Sequence, residues 1–429
     1  MKYQLKELCS ITKGATGIMK ADGGKYPLVA LSDERRWHSE FQFDANAVIV
    51  PLISSTGHGH ASMKRVHYQE GKFALGNILC AVIPNDETQL NAKYLHLYLQ
   101  QFKETLLVPL MKGAANVSLP MNKLADVEIE VPGLEKQLEI IALEDEAAEY
   151  KTELEERLIT QEVDVAKLRQ TLLKEAMQGK LTKQLATDGN AKDLIEKINA
   201  EKEKLIIDKK IKKEKILPPI SAKEIPYKIP ENWIWCRLGE LCNYGSSPKA
   251  EPKHLTENTW VLDLEDIEKD TSKLLNKIRS PKRNSLSTKS IFKKGEVLYS
   301  KLRPYLDKVI VADENGVCTT EILPLNFYGE INPYFMRFAL KRSDFLGYVN
   351  GVTKGMKMPR LGTIQGKKAL MPLPPLPEQN RIVLRLEKLM QICDELQYSI
   401  KQSKIENEKL LQCVLKDAIK KKKTANMSA

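Results

Sequence analysis

The stretch Leu373-Pro-Pro-Leu-Pro-Glu-Gln-Asn-Arg-Ile-Val383 decides how the chain is read. Pro374, Pro375 and Pro377 carry no backbone donor and have a fixed φ, so they lead into a helix but cannot sit inside one. Beyond them Ile382, Leu386, Leu389, Cys393, Leu396, Ile400, Leu410 and Val414 recur at alternating spacings of three and four, with Ser403 and Asn407 filling the two polar slots. That spacing is the seam of a coiled coil. The same lead-in occurs earlier as Val131-Pro-Gly-Leu-Glu-Lys-Gln-Leu-Glu-Ile-Ile141, where Leu134, Gln137 and Ile140 match Leu376, Gln379 and Ile382 at a constant offset (376 − 134 = 242). The offset holds without a gap to Lys167-Leu-Arg-Gln-Thr-Leu-Leu-Lys-Glu-Ala176, which aligns with Lys409-Leu-Leu-Gln-Cys-Val-Leu-Lys-Asp-Ala418. One chain therefore carries two copies of one long helix. In the first copy the seam runs through Ile140, Ala147, Leu154, Leu158, Val165, Leu168 and Leu172.

A chain of 429 residues holds two or three domains with cores of their own, and a hydrophobic content of 42% argues against disorder. The net charge of +11 and a pI near 9.0 favour a polyanionic partner, nucleic acid or an anionic surface. No apolar run is long enough for a transmembrane helix, and Met1-Lys-Tyr-Gln-Leu-Lys6 lacks the apolar segment of a signal peptide. The seven scattered cysteines form no close pairs, which fits reduced thiols in the cytoplasm and offers no zinc-ligand spacing.

Each helix copy follows a mixed α/β module. In residues 1–132, Val48–Ile53 and Ile78–Ile83 are β-branched runs with strand character, Tyr94–Leu99 with Phe102 has the spacing of a helix laid on a sheet, and Val127–Val131 alternates as a strand. Residues 133–217 hold the long helix, a stop at Gly179 and a second helix from about Ala191 that runs into the cationic stretch Lys209–Lys215, read as a solvated face. Residues 218–232, with Pro218, Pro219, Pro226 and Pro230, read as a stiff linker. Residues 233–372 repeat the opening theme: Leu238-Gly-Glu-Leu-Cys242 echoes Leu5-Lys-Glu-Leu-Cys9, and Lys354-Gly-Met-Lys-Met-Pro-Arg-Leu361 aligns with Lys112–Leu119. Residues 373–429 are the second long helix and a basic tail. The expected class is α+β, two mixed modules separated by two long helices that form an antiparallel coiled coil.

This order of parts resembles the specificity subunits of Type I restriction–modification enzymes over essentially the whole chain. The resemblance rests on Leu373–Val383 with Leu389 and Cys393-Asp-Glu-Leu396, on Ile229-Pro-Glu-Asn-Trp-Ile-Trp-Cys-Arg-Leu-Gly-Glu-Leu241, and on Ser300-Lys-Leu-Arg-Pro-Tyr305 and Gly316-Val-Cys-Thr-Thr320. The first copy departs from the pattern, with Gly133 and Glu135 in place of prolines and Lys136 in place of Glu378. The resemblance implies a subunit without chemistry of its own. It implies two target-recognition domains that each read half of a bipartite site in double-stranded DNA, with the coiled coil setting the spacer. Adenine methyltransferase subunits using S-adenosylmethionine would dock on the helices, and a restriction and translocase subunit would complete the enzyme, in the cytoplasm and without a membrane. This chain would bind neither cofactor nor metal.

DNA-reading side chains are Arg, Lys, Asn, Gln and small hydroxyls. In the first module Thr56, His58, His60, Ser62, Lys64 and Arg65 lie in a glycine-punctuated loop that is either a groove contact or an ordinary surface loop; Lys112 and Asn116 lie in a second loop. His58 and His60 alone make a weak metal pair. In the second module the candidates are Ser300, Lys301, Arg303 and Tyr305, then Lys354, Lys357 and Arg360, with a packed turn as the alternative for Arg303 and Tyr305. Asn407, level with Val165, is either a register-setting seam residue or an inert one. No Gly-x-Gly with Asn/Asp-Pro-Pro-Tyr/Phe and no phosphate loop marks a methyltransferase or a motor. The competing reading is a coiled-coil adaptor whose two modules bind protein.

Overall fold

The structure is a computed structural model that describes residues 1–17, 23–32, 34–56, 59–114, 116–280, 282–283 and 287–420. It divides into two compact units, Met1–Thr160 with Ile400–Ala429, and Gln161–Ser399. Each unit therefore contains one module and a length of both long helices, Leu134–Met177 and Leu376–Lys420.

The two modules open and close in the same way. Strand Lys2–Gln4 pairs antiparallel with Glu128–Glu130, immediately before the first long helix, and Ile234–Arg237 pairs with Leu370–Leu373 before the second. The Leu-x-Glu-Leu-Cys echo is one helical turn in both places, Leu5–Leu8 and Leu238–Leu241. Its glutamate reaches back to cap the turn, Glu7 accepting from the Gln4 amide at 2.8 Å and Glu240 from the Arg237 amide at 2.7 Å.

The first module carries two four-stranded sheets. One runs Cys9–Lys13, Leu79–Pro84, Ala47–Pro51, His67–Gln69, all antiparallel; the other runs Arg36–His38, Tyr26–Val29, Lys72–Leu75, Phe43–Asp44, with one parallel pair. The apolar runs read as strands are thus central neighbours, buried but for the half-buried Ile53, Ile78 and Ile83, with helix Ala92–Leu106 laid beside them. The second module has a four-stranded sheet (Lys249–Ala250, Lys289–Phe292, Gly316–Cys318, Trp260–Leu262) and a three-stranded one (Val309–Val311, Val297–Ser300, Ile322–Leu325), with helix Pro333–Leu340.

Why the repeat keeps a Leu-x-x-Gln frame becomes visible in the hydrogen bonds. Gln137 is fully buried; its Oε1 accepts from the Asn91 amide at 2.8 Å and its Nε2 donates to the Gln89 and Pro132 carbonyls at 2.9 Å each. Gln379, equally buried, accepts from the Asn332 amide at 2.9 Å and donates to the Pro374 carbonyl at 2.8 Å. Asn91 and Asn332 are themselves the N-caps of the two module helices. The glutamine is a peg that fixes the first turn of each long helix against the cap of its own module.

The long helices run antiparallel within each unit. In the first, Asn407 Nδ2 donates to the Lys151 carbonyl at 3.2 Å, and Ala418 and Ile419 join the core that holds Ile140. In the second, Arg169 bonds Asp394 at 2.5 Å, and Leu173 shares a core with Ile382 and Leu386. Burial recurs once per heptad, at Leu158 and Val165 on one helix and at Cys393, Ile400 and Asn407 on the other. Leu172, Leu389 and Val414 are half-buried. Leu154, Leu168, Leu396 and Leu410, expected in the seam, are exposed. A two-stranded coiled coil buries both of its apolar positions in each heptad, so this pair, which closes fully at only one of them, is packed less tightly than the spacing predicts.

The first long helix stops where expected, in a double-bonded terminus: the Gly179 amide donates to Ala176, the Lys180 amide to Glu175, and Gly179 has φ +70°. The proline-rich stretch, read as a stiff linker, is strapped to the second module. The buried Arg237 guanidinium holds the Pro218 carbonyl at 2.8 Å, the Pro219 carbonyl at 3.2 Å and Glu224 at 3.0 Å.

Candidate nucleic-acid interface

Both modules offer a polar turn at the end of a central strand, and both turns are built by one scheme. In the first module the turn follows Ala47–Pro51. The Ser54 amide donates to the Val117 carbonyl and the Leu119 amide to the Leu52 carbonyl, each at 2.9 Å. In the second module the turn follows Val297–Ser300. The Arg303 amide donates to the Pro359 carbonyl at 2.8 Å and the Leu361 amide to the Lys301 carbonyl at 2.9 Å. Since Val117 and Leu119 align with Pro359 and Leu361, Ser54 stands where Arg303 stands. The loop of first-module candidates, Thr56–Arg65, therefore begins two residues beyond the position that Arg303 holds in the second module.

The Ser54 turn is a mesh of hydroxyls. Ser54 Oγ donates to the His60 carbonyl at 2.6 Å, Thr56 Oγ1 and Ser62 Oγ lie 2.9 Å apart, and Ser55 Oγ accepts from the Lys64 amide at 2.8 Å. Met63 anchors the turn in the core, and Lys103 Nζ donates to the Lys64 carbonyl at 2.8 Å. A Cβ on Gly59 would lie 3.3 Å from the Ala114 carbonyl, which places the second loop alongside. That loop depends on Gly113: φ is +141°, and a Cβ there would meet the Asn116 carbonyl oxygen at 2.2 Å. His60, Lys64, Lys112 and Asn116 are exposed, Ser62 and Arg65 half-buried, and His58 lies outside the described residues. Among the described residues Lys64 and Lys112 form no ion pair. Thr56 and Ser62 spend their hydroxyls on each other, so they shape the turn while the cations line it.

In the second module the one-turn helix Pro304–Leu306 sits between Arg303 and Asp307, both in the left-handed region at φ +48° and +50°. Arg303 and Tyr305 are exposed, Lys301 is half-buried, and Lys354 and Lys357 are exposed on the adjoining loop. Among the described residues Arg303, Lys301, Lys354 and Lys357 have no ion-pair partner. Two candidates change role. Ser300 is only 2% exposed and gives its hydroxyl to the Leu302 carbonyl at 2.8 Å, so it is an internal bond of the turn. Arg360 is held by Glu321 at 3.1 Å, which neutralises part of its charge. Composition could not show either, because the partner carbonyl and carboxylate come from the fold.

Behind the Arg303 turn lies a group of side chains that no sequence signal marks. Lys341, at the end of helix Pro333–Leu340, is buried and places its ammonium on Asp307 Oδ2 at 2.7 Å. Burial is the leading cause that raises the Asp307 carboxyl to about 6 and that lowers Lys341. In the first module burial, with Arg35, Arg65 and His96 nearby, lowers His67 to about 4. Among the described residues no cluster of three or more His, Cys, Asp or Glu could hold a metal, and no helix is long and apolar enough to cross a membrane.

The chain is thus a duplicated module on a duplicated helix, each module presenting a basic turn on the same backbone scheme. The sequence profile of the Type I restriction modification DNA specificity domain matches residues 1–163 and 230–407, and the chain belongs to that family. It is 25% identical over 427 residues to the Escherichia coli EcoDI Type I restriction enzyme specificity subunit, covering 99% of this chain and 89% of that one. The EcoAI specificity subunit of the same organism is 31% identical over 260 residues, 58% of this chain but 43% of the relative's length. Among solved structures, the HsdS subunit from Thermoanaerobacter tengcongensis shares the fold at a TM-score of 0.55 and 17% identity, over 98% of this chain and 96% of that one. A second structure, concerned with complex assembly and conformational transition of the type I R-M system, matches at a TM-score of 0.54 and 16% identity, covering 98% and 97%.

Proposed function

We propose that the chain is the DNA sequence-specificity subunit of a Type I restriction–modification complex, each module reading one half of a bipartite site. The observation that carries this reading is the equivalence of the Ser54 and Arg303 turns: one backbone scheme presents different polar side chains in each copy. A common mount with divergent contents suits two targets of the same chemical kind, and the net charge of +11 suits DNA. The candidate contacts are His60, Lys64, Arg65, Lys112 and Asn116 in the first module and Lys301, Arg303, Tyr305, Lys354 and Lys357 in the second. The paired helices set the spacer between half-sites and dock adenine methyltransferase subunits, which bring S-adenosylmethionine; a restriction and translocase subunit joins the same assembly. The chain itself supplies recognition and no catalytic step.

Mapping methylated adenines in cells that carry this chain with its partner methyltransferase tests the reading. The expected result is one bipartite motif, of which a replaced first module changes one half only. A contiguous motif, or a replaced module that alters both halves, overturns it. The adaptor alternative predicts no motif.

A further inference from the structure

Of the five described non-glycine residues with positive φ, four meet behind one turn: Asp270 (φ +63°), Ser272 (+60°), Arg303 (+48°) and Asp307 (+50°). Left-handed backbone at residues with a Cβ is unfavourable and persists only where the surroundings impose it. At three of these, Asp270, Ser272 and Asp307, the surroundings converge on one ammonium. Lys341 Nζ lies 2.9 Å from the Asp270 carbonyl, 2.8 Å from Ser272 Oγ, 3.0 Å from the Asp307 carbonyl and 2.7 Å from Asp307 Oδ2. Ser272 Oγ also donates to the Asp307 carbonyl at 2.7 Å and accepts from the Val309 amide at 3.0 Å. The Asp270 amide closes the ring on the Leu306 carbonyl at 3.0 Å.

The turn Arg303–Asp307 is therefore gripped from both ends, by the Pro359 carbonyl at Arg303 and by Lys341 and Ser272 at Asp307. All the clamp's polar groups are inside: Lys341 is 7% exposed, Asp307 5% and Ser272 2%. None of them can reach DNA. A hydrophobic helix end would have been the simpler design, because a buried ion pair contributes little net stability over a well-packed apolar replacement. What the pair supplies is a fixed geometry for a strained turn whose exposed residues are Arg303 and Tyr305.

We propose that Lys341, with Asp307 and Ser272, is the positioning clamp that holds the Arg303 turn in its base-reading conformation and so sets the specificity of the second module. The inference rests on the reading that the Arg303 turn contacts DNA. A guanidinium reads a base edge only within a narrow range of angle, so a turn free to leave the left-handed region loses discrimination before it loses attraction to phosphate.

The test uses the complex of this chain with its methyltransferase and measures binding to duplexes substituted at each position of the site. Arg303→Ala defines the positions that the turn reads. The double variant Lys341→Met/Asp307→Asn, which removes both charges of the pair together, is expected to lower discrimination at those same positions by at least about 10-fold, the range one lost bidentate contact covers. Preference at all other positions and assembly with the methyltransferase are expected to be unchanged. Ser272→Ala, a smaller change, repeats the measurement should the double variant fail to fold, with a weaker loss at the same positions. Simple destabilisation lowers the active fraction and leaves the ratio between bases untouched. If Arg303→Ala relaxes no position, the reading of the turn fails and the clamp proposal with it. If Arg303→Ala relaxes positions that the folded clamp variants still discriminate within twofold, the clamp alone is refuted.

Discussion

Replacing the buried glutamine of either helix copy by methionine removes its hydrogen bonds while keeping its length and shape, and the two copies give different answers. Gln137→Met strands three backbone groups, the Asn91 amide and the Gln89 and Pro132 carbonyls. Gln379→Met strands two, the Asn332 amide and the Pro374 carbonyl. Each buried group left without a partner costs about 1–3 kcal/mol, with carbonyls toward the lower end. Gln89 is exposed and Asn91, Pro132 and Asn332 are half-buried, so water takes up part of these lost bonds, whereas the Pro374 carbonyl is buried; the expected loss is about 1–3 kcal/mol for either variant. Loosening of the N-caps adds up to about 1 kcal/mol in each case, since Asn91 and Asn332 also hold the first amides of their helices. A chain of two compact units does not unfold in one step, so a single melting temperature would hide the difference. Hydrogen exchange resolved by peptide separates it. Opening of Ala92–Leu106 should become easier in Gln137→Met alone, and opening of Pro333–Leu340 in Gln379→Met alone. Losses below about 1 kcal/mol at both sites, or either variant loosening both helices alike, would refute the peg.

Three further outcomes follow from the same geometry. Asn407 buries an Oδ1 with no partner among the described residues, while the Lys151 carbonyl lies inside a helix and keeps its helical bond; Asn407→Leu should therefore raise the stability of the first unit by about 1–2 kcal/mol in urea unfolding, and a loss would show that the amide contributes more than its orphaned oxygen costs. His67 is expected to make the first unit acid-labile. Its folded pKa near 4 lies below the unfolded value of 6.5, so the unfolded chain binds the extra proton between those limits and stability falls as pH drops through that window, by about 3 kcal/mol in all; a His67→Gln chain that loses the same stability over pH 6.5 to 4 contradicts this. Removing one heptad from each long helix, which preserves the seam, shortens each helix by about 10 Å and should, on the proposed function, shorten the spacer by about three base pairs; methylation mapping that returns an unaltered spacer removes the helices from that role.

The two-copy plan was legible in the chain because it rests on local rules. Prolines that cannot enter a helix, a heptad stripe that cannot stand alone in water and a constant offset of 242 each leave a mark in linear order (376 − 134 = 242). The strands at Val48–Ile53 and Ile78–Ile83 were legible for the same reason, since β-branched apolar runs bounded by turn residues need no distant information. The polar turns at Thr56 and Arg303 were visible as compositions. What each side chain does in them was not. Ser300 and Arg303 are three residues apart in one motif, yet one hydroxyl is spent on the Leu302 carbonyl while the guanidinium faces solvent.

The chain by itself determined that there are two modules, two long helices and one frame joining them. Only the tertiary structure decided what the frame is for and how the turns are held. Gln137 meets Asn91 across 46 positions, Gln379 meets Asn332 across 47, and Lys341 meets Asp307 across 34. Those contacts join groups far apart in sequence, and their worth depends on burial, which removes the competing water and makes each unpaired group costly. Burial is a property of the assembled fold, so no local pattern announces a peg or a clamp.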